Sequence, residues 1–168
     1  GRSNSASGSE GWSDLRDATR ELDSSKQYVI FAAEAFRGFG RRMENLGGSN
    51  QFRYFDIDFN KFADGTDNIL IQGFTPKNFI QGSNIIFLAS FHNNDVTLSQ
   101  FSVLIVLLQS FIESMTIVLP FYPVGTNERV DEEGRVATAN TYSMLLSSLP
   151  SIGKPTRIMI YDIHALQN

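Results

Sequence analysis

Apolar positions along the chain fall into two kinds of pattern, and their alternation predicts the architecture. Near-continuous apolar runs rich in β-formers occur at "YVIFAA" (28–33), "NILIQGF" (68–74), "NIIFLASF" (84–91), "MTIVLPFY" (115–122) and "RIMIYDI" (157–163). The stretch "FRYFDIDF" (52–59) alternates enough to be one further strand. Between these runs the period changes. Leu98, Phe101, Ile105, Leu108 and Ile112 are spaced 3, 4, 3 and 4, which predicts an amphipathic helix over 96–112. Val103, Val106 and Leu107 are apolar as well, so a second face of that helix must leave water, against a neighbouring subunit or a further domain. In "ATANTYSMLLSSL" (137–149) the residues Thr138, Tyr142, Leu145 and Leu149 share a helical face. Residues 34–46 fit a helix less well, because Gly38 and Gly40 weaken it before Gly47-Gly48 ends it. Strands that are apolar throughout and fed by helices indicate a mostly parallel sheet flanked by helices, the α/β class.

Composition narrows this to one packed domain. The chain has 168 residues, 42% of them hydrophobic and 14 of them Phe, which is enough for one core and cramped for two. Residues 1–26 begin small and polar ("GRSNSASGSEG") and read as a flexible tail or expression remnant leading into a domain over 27–168. The formal charge of -4 gives no broad basic surface, so nucleic acid is not the expected partner. No cysteine and two histidines exclude a disulfide framework and make a closed zinc site implausible. No apolar leader opens the chain, and the apolar stretch 96–112 is interrupted by Thr97, Ser99, Gln100, Ser102 and Gln109, short of the ~20 residues a membrane span needs. A soluble protein is expected, cytoplasmic, with an organelle as the alternative.

In a parallel sheet, ligands bind beyond the carboxyl ends of the strands, and three stretches fall there. Gly125-Thr126-Asn127-Glu128-Arg129 follows a predicted central strand with hydroxyl, amide, carboxylate and guanidinium in succession, a set able to hydrogen-bond a nucleobase or phosphates. The acids that follow, Asp131, Glu132 and Glu133, are read as complementing the start of the next helix. "FADGTDN" (62–68) joins two strands through Asp64-Gly65, a hairpin-turn signal. "YDIHALQ" (161–167) puts Asp162 and His164 on one side of a strand end, where they could meet a magnesium–phosphate complex. His92, in "SFHNND", is assigned no role. No P-loop is present, and "GFGRRM" lacks the third glycine of a dinucleotide fingerprint.

Taken together, "FADGTDNILI", "FLASF", "VLPFYPVGTNERVDEEGRVATA" and "YDIHALQ" resemble, in order and spacing, the ribose-phosphate pyrophosphokinases, and most closely their divergent plant branch. The resemblance runs from Tyr28 to the end and implies the first of two phosphoribosyltransferase-like domains. It implies transfer of diphosphate from ATP to ribose 5-phosphate with magnesium, in a homo-oligomer. Phe62 and Asp64 match the turn that approaches the adenine of a neighbouring subunit's ATP, with Thr66 where a Glu often stands. Thr126 and Asn127 replace an Arg-Gln pair that touches ATP in typical members, while Glu128 and Arg129 keep the charge types that follow it. His164 matches a magnesium-linked His, with Asp162 beside it. The ribose-phosphate loop and the mobile lysine belong to the second domain, so the chain alone is expected to be inactive and no catalytic residue is assigned within it. A non-catalytic regulatory homologue is the alternative.

Overall fold

The computed structural model describes residues 22–46, 50–119, 133–136 and 138–160. Its frame is a five-stranded, wholly parallel sheet in the order β2-β1-β5-β6-β7, from β1 (Tyr28–Ala32), β2 (Phe52–Tyr54), β5 (Asn84–Leu88), β6 (Ser114–Leu119) and β7 (Arg157–Ile160). Because strand side chains alternate, each apolar run feeds two cores. Phe31, Phe87, Ile85 and Ile117 lie on the face covered by the long helix α2 (Asn94–Leu108) and by α3 (Thr138–Ser147). Ile30, Ile86 and Leu88 lie on the other, with Phe36 from a short 3-10 turn (Glu34–Phe36) and Met43 from α1 (Arg37–Met43). Phe31 and Phe87 are fully buried, each worth about 1.5–3 kcal/mol of transfer free energy.

Segment 34–46 is helical over α1 in spite of its glycines, and Gly40 is there for a reason of space. A Cβ on Gly40 would stand 2.5 Å from Tyr54 Cε2, whereas nothing lies within 4 Å of the position on Gly38. Gly40→Ala is therefore expected to lower stability by about 1–3 kcal/mol through overpacking. Gly38→Ala is expected to raise it by about 0.5–1 kcal/mol through helix propensity. Urea midpoints of the two variants moving in the same direction would contradict this packing.

Two strand expectations are corrected. The run 52–59 is split: β2 pairs with β1, and β3 (Ile57–Lys61) leaves the sheet to form a separate antiparallel hairpin with β4 (Asp67–Ile71). The break falls at Phe55 and Asp56. The Phe55 N–H still donates to Ile30 O, while Asp56 O already accepts from Gln72 N–H at the hairpin's root. The run 68–74, expected as a buried strand, is instead half-exposed in that hairpin. Ile57, Phe59, Ile69 and Ile71 pack against the core, and Leu70 faces outward, 59% exposed.

The buried face of α2 is also rotated from the expected one. Phe101 and Leu108 point inward as predicted, but so do Thr97, Gln100, Val103, Leu104 and Leu107, while Leu98 and Ile105 are exposed. Val103 and Leu107, expected on an outer interface, belong to the core. Asn93 caps the helix, its Oδ1 accepting from Val96 N–H at 3.1 Å. The following helix, α3, starts at Thr138, after a turn at Glu133-Gly134, so Glu133 does not lie in its first turn. On α3, Leu146 packs against the core, as does Leu149 just past its end, and Tyr142 stacks on Phe91, whereas Leu145 is exposed.

Candidate functional site

The hairpin places the turn Phe62–Thr66 away from the sheet and builds it from its own side chains. Phe62 N–H donates to Thr66 O at 2.8 Å and Gly65 N–H to Phe62 O at 2.9 Å. Gly65 has φ +88°, a left-handed conformation that glycine adopts without strain. Asp64 Oδ1 accepts from the Thr66 hydroxyl at 2.6 Å and from the Thr66 N–H at 3.0 Å. These bonds, the hydroxyl first, hold the Asp64 carboxyl below the usual carboxylate range, so the turn carries a fixed negative charge at neutral pH. The hydroxyl of Thr66 is thus committed to shaping the turn. The Phe62 ring, 55% exposed, is presented outward at its start.

The hairpin is tied down at both ends. At the root, Asp56 receives Tyr54 OH at 2.9 Å and Arg41 Nη2 at 3.2 Å, with Arg37 Nε at 3.5 Å, and Arg37 Nη2 also donates to Ile57 O at 3.1 Å. Burial pushes the Asp56 carboxyl up, but the Tyr54 and Arg41 hydrogen bonds outweigh it and leave it low. Burial, then the bond to Asp56, pushes the Tyr54 phenol up. At the far end Lys61 Nζ pairs with Asp67 Oδ1 at 3.3 Å, and Ser99 Oγ on α2 donates to Asp67 Oδ2 at 2.9 Å.

Between the hairpin, the end of β1 and the start of α2 lies a cleft of about 160 Å³ at the carboxyl edge of the sheet, lined in part by Glu34, Phe59, Lys61, Asp67, His92 and Asp95. Its floor is held by Gln100, 1% exposed. Gln100 Oε1 accepts from Ser90 N–H at 2.8 Å, and Nε2 donates to Ser90 O at 2.6 Å and to Val96 O at 2.9 Å. Ser90 Oγ in turn meets His92 Nδ1 at 2.8 Å. His92, passed over in the sequence, is therefore oriented in the cleft wall; its position just after an apolar strand was the signal for it. Larger open hollows beside α3 and β7 and at the amino ends of β1 and β2 contain none of the turn residues.

Of the residues singled out in the sequence, the structure brings Phe62, Asp64 and Thr66 together. Thr126, Asn127, Glu128, Arg129, Asp162 and His164 lie outside the described residues. Among the described residues no group of three or more His, Asp or Glu could hold a metal ion, and no helix is long and apolar enough to cross a membrane.

No family model matches the chain. Curated relatives do: it is 48% identical over 149 residues to ribose-phosphate pyrophosphokinase 4 of Oryza sativa subsp. japonica, covering 88% of this chain and 44% of that protein. The chain belongs to the ribose-phosphate pyrophosphokinase family. It is also 41% identical over 145 residues to the chloroplastic ribose-phosphate pyrophosphokinase 3 of Arabidopsis thaliana, covering 86% of this chain and 34% of that one. The chain thus spans between about a third and under half the length of these relatives. A purine phosphoribosyltransferase from Pyrococcus horikoshii Ot3 overlaps it weakly (TM-score 0.39, 15% identity, 67% of this chain and 75% of that one), too slight a likeness to carry an argument.

Proposed function

We propose that the chain supplies the nucleotide side of a ribose-phosphate diphosphokinase, an enzyme that moves diphosphate from ATP to ribose 5-phosphate. The observation that carries this is the turn: an exposed aromatic ring, Phe62, beside a carboxylate, Asp64, locked by Thr66 in a family of that name. A ring of this kind stacks on a purine at a gain of ~1–3 kcal/mol per base, and a carboxylate accepts from an exocyclic amine. Thr126 to Arg129 are proposed as further nucleotide contacts, and Asp162 and His164 as contacts to the magnesium that accompanies ATP. These assignments rest on sequence position. Ribose 5-phosphate is proposed to bind outside this chain. Assembly into a homo-oligomer is proposed through the outward side chains of α2, Leu98, Ile105 and Val106, in place of Val103 and Leu107.

Titration of MgATP into the chain, followed by backbone amide resonances, tests the reading. Shifts are expected to concentrate at Phe62–Thr66, with Phe62→Ala weakening the affinity about tenfold, the loss of one stacked base. An affinity unchanged by Phe62→Ala would overturn the role given to the turn.

A further inference from the structure

Ser99 is an unusual residue for its place. It sits at the start of the face that α2 turns to the core, 7% exposed, where a hydroxyl lowers apolar burial and must find a partner. It shares its hydrogen between Asp95 O on its own helix, at 3.0 Å, and Asp67 Oδ2 across the cleft, at 2.9 Å. Asp67 is the first residue of β4 and pairs with Lys61, the last of β3, both by register and by charge. Beyond this pair the hairpin is exposed on all sides. Among the described residues the Ser99–Asp67 bond is therefore the outermost tie between the hairpin and the body of the protein, one residue short of the Phe62–Thr66 turn.

We propose that Ser99 and Asp67 form a latch that fixes the height of the Phe62–Thr66 turn over the carboxyl edge, and that both are positioning residues for nucleotide recognition. The inference rests on the turn being the nucleotide contact. Three features favour it. The root of the hairpin is anchored separately through Asp56, Arg37 and Phe55, so the latch is not needed to hold the hairpin to the protein. Without the latch the hairpin is held only as far as Phe59 and Ile69, which pack on the core, and is freest at its tip. The bond is charge-assisted and reaches a residue that also closes the last rung of the ladder, so one contact fixes both strands.

Two readouts test it on the same chain. Amide hydrogen exchange is expected to rise at least about fivefold at Phe62 and Gly65 in Ser99→Ala, while Gln72 at the root stays as in the parent. Ser99→Thr, which keeps the hydroxyl, is expected to restore both. MgATP affinity is expected to fall about threefold to tenfold in Ser99→Ala, as the turn must be ordered on binding, and to recover in Ser99→Thr. Unchanged exchange at the turn in Ser99→Ala overturns the latch, as does failure of Ser99→Thr to restore it. An affinity lowered by Phe62→Ala and untouched by Ser99→Ala overturns the positioning role. If neither variant changes MgATP affinity while the exchange rates behave as expected, the latch stands, and the positioning role falls together with the nucleotide reading on which it rests.

Discussion

Incubated with ATP, magnesium and ribose 5-phosphate, the purified 168-residue chain is expected to form neither AMP nor phosphoribosyl pyrophosphate at a rate near that of an intact enzyme. Diphosphate transfer requires the sugar hydroxyl in line with the β-phosphorus and positive charge on the oxygens that gain charge as the bond breaks. The basic side chains whose contacts are defined here are already engaged. Arg37 and Arg41 face Asp56, Lys61 faces Asp67, Lys154 faces Glu113, and Arg53 lies over the rings of Phe55 and Phe79. Each is held by a partner, Lys61 within the wall of the cleft itself. Losing one preorganised donor costs ~10²–10³ in rate, so a site short of two is expected to run at least ~10⁴-fold slower. Release of AMP within about tenfold of the 1–10³ s⁻¹ usual for enzymes would show that the chain holds a complete site.

The largest effect on stability is expected at Gln100. Gln100→Leu keeps the volume but leaves both the N–H and the C=O of Ser90 without the bonds that Gln100 supplies in a buried setting. Each orphaned group costs about 1–3 kcal/mol, for a loss of about 2–6 kcal/mol in urea unfolding. Against a typical total of 5–15 kcal/mol, that shift in midpoint is large. Gln100→Glu separates the two bonds. It keeps the acceptor for Ser90 N–H, but when ionised it has no donor for Ser90 O, and its charge is buried. Burial raises the folded pKa of that new carboxyl, so its destabilisation is expected to be small at low pH and to grow as pH rises above the ordinary Glu value. A loss below about 1 kcal/mol in Gln100→Leu would mean that the Ser90 backbone finds other partners.

Gln100 also shows why part of the fold was hidden in the sequence. The parallel sheet was legible because β1, β5 and β6 are apolar on both faces, which few other settings tolerate. The rotation of α2 was not. An apolar stripe at 98, 101, 105, 108 and 112 counts Thr97, Ser99 and Gln100 as polar and turns them outward. Thr97 instead donates to Asn93 O, Ser99 to Asp67 and Gln100 to Ser90, and once paired they are buried. Asp67 lies far along the chain and Asn93 and Ser90 lie near, but none of these pairings leaves a trace in the apolar period. The split of 52–59 escaped for a similar reason, since period two identifies a strand without naming its neighbour. At the candidate site, the Asp64-Gly65 turn was read directly. What Thr66 does there, bonding Asp64, required the three-dimensional turn.

The hairpin has one more consequence, for the order in which the protein forms. Every rung of the parallel ladder joins segments distant in the chain: Tyr28 meets Phe52 and Asn84, Asn84 meets Ser114, and Thr116 meets Arg157. Each of these closures pays loop entropy before any contact rewards it, which slows folding. Lys61 and Asp67 face each other across a short turn and pay almost none. A hairpin of this kind closes in about 1–10 μs, though alone it is only marginally stable. The turn is thus sampled early and repeatedly, and becomes permanent only when α2 docks and brings Ser99 to Asp67.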